Sequence, residues 1–128
     1  MRKRNDPEVA EWFNHAAQDE QTARLVAPHG LHAIVGFHCQ QEVEKLLKGC
    51  MVALDIDPPR VHHLPTLLAV LVEGGLPLSA FADDCRLLTP FATVSRYPGH
   101  GDLSAEDASV ALAAAARLRE AVLAAVGT

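Results

Sequence analysis

The sequence predicts an all-α fold, a single domain over residues 1–128 built as an up-and-down bundle of four to five helices. Three observations carry that expectation. Hydrophobic residues make up 49% of the chain and aromatic ones only 5%, with alanine and leucine dominant. Closely packed helices suit that composition better than a β-sandwich, which draws on β-branched and aromatic side chains. Apolar positions recur at helical spacing through each long stretch, and no stretch reads as a strand.

Asp6-Pro7-Glu8 opens the first helix: an acid at the cap, proline at the first helical position, and a second acid near the positive helix end. Val9, Trp12, Phe13, Ala16, Ala17, Ala23 and Val26 follow at helical spacing, and Ala27-Pro28-His29-Gly30 closes the helix. The second runs from about Leu31 to Leu54 with Phe37, Val43, Leu46, Leu47 and Cys50 along it, and Gly36 and Gly49 weaken it locally. Asp55-Ile56-Asp57-Pro58-Pro59 is a loop, because a residue before proline avoids the helical region.

Leu64 to Val72 forms a short third helix, stopped by Glu73-Gly74-Gly75. Ser79 is the expected cap of a fourth, with Asp83 and Asp84 in its early turns. Pro90 falls inside that pattern, where it kinks or restarts the helix with Thr89 as a local cap. Ser104 and Asp107 fit a capping box for the last helix, Ala105 to Val126, whose stripe is Ala108, Ala111, Ala115, Leu118, Val122 and Ala125.

Composition also narrows the function. A formal charge of −5 argues against broad non-specific nucleic-acid binding but leaves room for a local basic pocket. Cys39, Cys50 and Cys85 are an odd number with no C-x-x-C pair, and read as reduced, buried residues. Pro, Gly or a charge interrupts every apolar run before it could span a bilayer, and no apolar region follows the basic start MRKR. A cytoplasmic protein without membrane contact is expected. P-loop, G-x-G-x-x-G, G-x-S-x-G and zinc-ligand patterns are lacking, so no cofactor or metal is implied.

Two polar stretches stand out. In FHCQQEVEKLLKG (37–49), Phe37, Gln41, Glu44 and Lys48 share one helical face, and His38, Gln41 and Lys45 form an adjacent stripe. On pattern alone this is a solvated face with Glu–Lys pairs. PPRVHHL (58–64) sets Arg60, His62 and His63 just before the third helix, where a guanidinium and an imidazole suit a phosphate. The other reading is that His62 caps or packs the loop. RYPGH (96–100) adds an arginine, a tyrosine and a histidine around Pro98-Gly99.

Taken together, Trp12 with Ala16, Asp19 and Ala23, F-H-x-Q-Q-x-x-E-K-x-x-K at 37–48, P-P-R-x-H-x-L at 58–64 and R-Y-P-G at 96–99 resemble the HEPN family. The resemblance runs in order from about residue 8 to 125. It implies a four- to five-helix bundle, a homodimer packed through its helices, and a partner nucleotidyltransferase encoded nearby in a toxin–antitoxin-like pair. It also implies a polar pocket for a nucleotide or RNA phosphate, lined by Gln41, Glu44, Lys45, His62, Arg96 and Tyr97.

Nuclease branches of the family carry an arginine followed by a histidine and cleave RNA without metal. The matching residues are Arg96 and His100, which makes a ribonuclease toxin the enzymatic alternative, an imidazole being suited to proton transfer near neutral pH. The spacing is one residue shorter than in those branches, and Pro98-Gly99 lies in the gap. Tyr97 lies between the two residues, whereas the tyrosine modified in related toxin systems lies beyond the histidine. A third alternative is a structural dimer in which the polar cluster only sets helix register.

Overall fold

A computed structural model, which describes residues 1–94 and 103–127, shows the first and last helices beginning at the capping groups the sequence supplies. Helix α1, Pro7–Val26, starts at Asp6, whose Oδ1 accepts from the backbone N–H groups of Glu8 at 3.0 Å and Val9 at 3.4 Å. A 3₁₀ turn at Ala27–His29 follows, and Gly30 closes it in the left-handed region at φ 74°. Helix α2 is His32–Ala53 and α3 is Leu64–Glu73. Helices α4, Ala82–Leu88, and α5, Phe91–Val94, precede α6, Ala105–Ala125. The capping box of α6 has both halves: Ser104 Oγ accepts from the Asp107 N–H at 3.1 Å, and Asp107 Oδ2 accepts from the Ser104 N–H at 2.9 Å.

The expected fourth helix differs in two details. Ser79 does not cap it; a 3₁₀ turn at Ser79–Phe81 intervenes, and α4 begins at Ala82 with no side-chain cap. Leu78, fully buried, pins the chain there, and its carbonyl accepts from the Phe81 N–H at 3.1 Å. Thr89 likewise does not cap a new helix. Its hydroxyl donates back to the Cys85 carbonyl at 2.8 Å, the same oxygen that accepts the Thr89 N–H at 3.1 Å. Pro90 has no N–H with which to continue the ladder, so the helix stops and restarts at Phe91.

Helix α2 is the centre of the bundle, and each of the other five α-helices among the described residues packs against it. The Arg2 N–H donates to the Ala53 carbonyl at 2.8 Å and the Arg4 N–H to the Gly127 carbonyl at 3.2 Å. The start of α1 therefore meets the ends of α2 and α6, so α1 is antiparallel to both and α6 runs parallel to α2. The core between them includes Leu47, Met51, Leu64, Leu67, Leu71, Leu78, Leu88 and Leu118.

The two α2 glycines that cost helix propensity are the points of closest approach. A Cβ on Gly49 would lie 2.5 Å from Phe13 and 3.1 Å from the Trp12 Cβ, and one on Gly36 would strike the Phe91 ring. All three cysteines are free and buried, as their number and spacing imply. No helix among the described residues is long and apolar enough to cross a membrane.

Candidate functional site

The polar segment of α2 is not a solvated face. Gln40, Glu42, Glu44 and Lys48 are all buried, because α1, α6 and the loop before α3 cover the helix from different sides. A buried charge needs a partner, and three networks provide them.

The first network centres on Glu44, whose side chain is 8% exposed. Gln40 Nε2 donates to its Oε1 at 3.1 Å and His62 Nδ1 to the same oxygen at 3.0 Å. Lys48 Nζ donates to Oε2 at 3.1 Å. Gln41 Nε2 donates to Gln40 Oε1 at 2.7 Å, and Gln40 Nε2 also reaches the His62 carbonyl at 3.3 Å, tying the loop to α2. Burial pushes the Glu44 carboxyl up, but the bonds from Gln40, His62 and Lys48 together with the Lys48 charge outweigh it and hold the group below its ordinary range. The Glu44–Lys48 pair is thus present, but it is a buried pair.

The second network joins α1 to α2. Asp19 Oδ1 accepts from His38 Nδ1 at 2.8 Å, and Oδ2 accepts from Lys45 Nζ at 2.5 Å. Lys45 also lines a surface cleft of about 370 Å³ with Glu11, Trp12 and His15. Among the expected pocket residues, then, Gln41, Glu44 and His62 come together, while Lys45 is committed to Asp19 in a separate network. Arg96, Tyr97 and His100 lie outside the described residues.

The third network is absent from the sequence reading. Arg119 of α6 donates from Nε to Glu42 Oε2 at 2.5 Å and from Nη2 to Oε1 at 3.0 Å, and its Nη1 lies 3.3 Å from Glu20 Oε2. Burial pushes the Glu42 carboxyl up, against the pull of Arg119. A signal was present: Glu42 stands three residues after Cys39 and four before Leu46 on α2, and Arg119 sits beside Leu118 on the α6 stripe. A charge on each of two apolar stripes is the pattern of a buried cross-helix pair.

Comparison with known proteins agrees with this architecture. The crystal structure of TT1696 from Thermus thermophilus superposes with a TM-score of 0.80 at 23% identity, over 90% of this chain and 95% of that one. No functionally curated protein matches the chain. The HEPN domain family matches over residues 9–125, which takes in all three polar networks and nearly the whole bundle. The chain belongs to the HEPN domain family.

Proposed function

We propose that this protein is a HEPN binding and interaction module, a homodimer that holds a nucleotide or RNA phosphate in a polar pocket and pairs with a small nucleotidyltransferase. The observation that carries this reading is the Glu44 network, a buried polar cluster that reaches the surface at His62. A cluster serving only to fix helix register would not need an imidazole with 71% of its side chain in water.

The R-Y-P-G motif at 96–99 is the reason for including Arg96. Phe91 of α5 packs at Gly36, one turn before Gln40 and two before Glu44 on α2. Val94, the last residue of α5, stands two positions before Arg96 in the sequence. An arginine suits a phosphate because its planar fork donates two parallel hydrogen bonds.

Calorimetric titration with ATP and other nucleotides tests the reading directly, with Arg96→Ala as the comparison. Saturable binding weakened in the variant is expected, and no binding at millimolar ligand would remove the pocket. Light scattering on the purified chain tests the dimer. A parallel incubation with RNA in the absence of metal distinguishes the enzyme: cleavage lost in both Arg96→Ala and His100→Ala would make the protein a ribonuclease.

A further inference from the structure

Glu44 and His62 form a pair in which the carboxylate is hidden and the ring is not, with side-chain exposures of 8% and 71%. Glu44 is held in its ionised form, so the proton in the 3.0 Å contact belongs to His62 Nδ1. That bond fixes the tautomer and the plane of the ring. The remaining nitrogen, Nε2, has no hydrogen-bond partner among the described residues.

Loop anchorage does not explain this arrangement, because the bond from Gln40 to the His62 carbonyl already ties the loop to α2. His38 shows what a tie between elements looks like here. Its Nδ1 bonds Asp19 in the same manner, but its side chain is only 25% exposed and its ring lies edge-on to Phe37 at 5.2 Å.

Arg60, two residues before His62, is exposed and has no carboxylate partner among the described residues. Arg2, Arg24, Arg86, Arg117 and Arg119 are all in ion pairs. In a chain of charge −5, a guanidinium and a ring nitrogen two residues apart, both without partners among the described residues, are a local site for an anion.

We propose that His62 Nε2 and Arg60 contact a phosphoryl oxygen of the ligand, and that Glu44, itself held by Gln40 and Lys48, is the positioning residue that orients the ring. In its imidazolium form the ring donates Nε2–H to the phosphoryl oxygen while Nδ1–H stays on Glu44. The inference rests on the nucleotide-binding reading and adds to it the residues that touch the phosphate.

The test is nitrogen-15 spectroscopy of the histidine rings in the full chain, with the His62 signals identified by their loss in His62→Gln. The free protein is expected to show His62 as the Nδ1–H tautomer. AMP and an adenylyl dinucleotide serve as probes, and one or both should shift the His62 signals saturably. A response to both is expected of a phosphoryl contact, and a response to the dinucleotide alone identifies RNA as the source. His62→Gln and Arg60→Ala, both at exposed positions, should each weaken binding on the order of tenfold.

Glu44→Gln should convert the His62 signals to a tautomer mixture and weaken binding together, whereas a tautomer change with binding unaltered would show the bond to be structural only and overturn the positioning role. If that variant does not fold, the tautomer of the wild-type ring still decides the positioning role, and a free-state Nε2–H tautomer overturns it. If AMP or the dinucleotide binds by calorimetry while His62 stays unshifted and His62→Gln binds normally, the contact is refuted and the nucleotide reading stands. If neither probe binds, the contact falls, and the nucleotide reading falls with it only if ATP also fails to bind.

Discussion

Arg119 on α6 and Glu42 on α2 are joined by a two-pronged hydrogen-bonded ion pair, at 2.5 Å and 3.0 Å, with 26% and 2% of their side chains exposed. The pair crosses 77 residues of sequence to fix two parallel helices in one register, and Glu20 on α1 extends it to a third helix. Removing the guanidinium leaves a carboxylate buried without its partner. Arg119→Ala is expected to cost about 3 kcal/mol, at the low end for broken buried pairs because Arg119 keeps a quarter of its side chain in water. The double variant Arg119→Met/Glu42→Met should recover much of that loss, since replacing both charges removes the desolvation cost. Chemical denaturation of the three proteins checks this, and a double variant no more stable than Arg119→Ala would contradict it.

The acid stability of the fold should depend on Glu44 and Glu42 with opposite signs. Glu44 is held below its ordinary value of 4.5, so its contribution is present above that pH and lost as pH falls through the folded value. Glu42 is raised above 4.5, so its contribution is present below 4.5 and lost as pH rises through the folded value. Melting temperature against pH should therefore fall less steeply on acidification in Glu44→Gln than in the wild type. Glu42→Gln should change the slope the other way.

Gly49→Ala should destabilise the protein although alanine is the better helix former. The helix gains up to about 1 kcal/mol, but the new methyl would lie 2.5 Å from Phe13. Overpacking of this kind costs about 1–3 kcal/mol, for a net loss of roughly 1 kcal/mol. Trp12 flanks the same contact and is the chain's one tryptophan, so its fluorescence should change with the substitution.

Burial pushes the thiols of Cys39, Cys50 and Cys85 up to about 12, so little thiolate exists at neutral pH. A thiol-reactive disulfide reagent should leave the native protein essentially unmodified and label three groups per chain after denaturation. Rapid labelling of the native chain would show a cysteine more accessible than its burial implies.

Local chemistry was legible in the sequence where a few neighbouring residues decide the outcome. Asp6 before Pro7 and Ser104 before Asp107 specify helix starts through bonds spanning two or three residues, and both form. Pro90 forces a break because it lacks an N–H, whatever surrounds it. Ser79 and Thr89 were less legible: each has the chemistry of a cap, but a 3₁₀ turn set by buried Leu78 precedes α4, and the Thr89 hydroxyl turns back to the Cys85 carbonyl.

The family motif singled out Gln41, Glu44, Lys45 and His62 without revealing their partners. Glu44 and Lys48 look the same in sequence whether one helix face meets water or is covered, and the i, i+4 spacing is identical in both cases. Coverage depends on α1, α6 and the 57–63 loop arriving from distant parts of the chain. The same holds for Lys45, which the motif sets one residue from Glu44 but the fold assigns to Asp19 on α1.

The sequence by itself therefore determined the fold class, the starts of the first and last helices, the reduced cysteines and the order of the family motifs, since each rests on periodicity, composition or short-range bonds. Only the tertiary structure decided which charges are buried, which carboxylate each cation serves, and that His62 bonds Glu44 through one nitrogen while most of its side chain stays exposed among the described residues. Those outcomes depend on desolvation, and desolvation is set by neighbours that the chain brings together only when it folds.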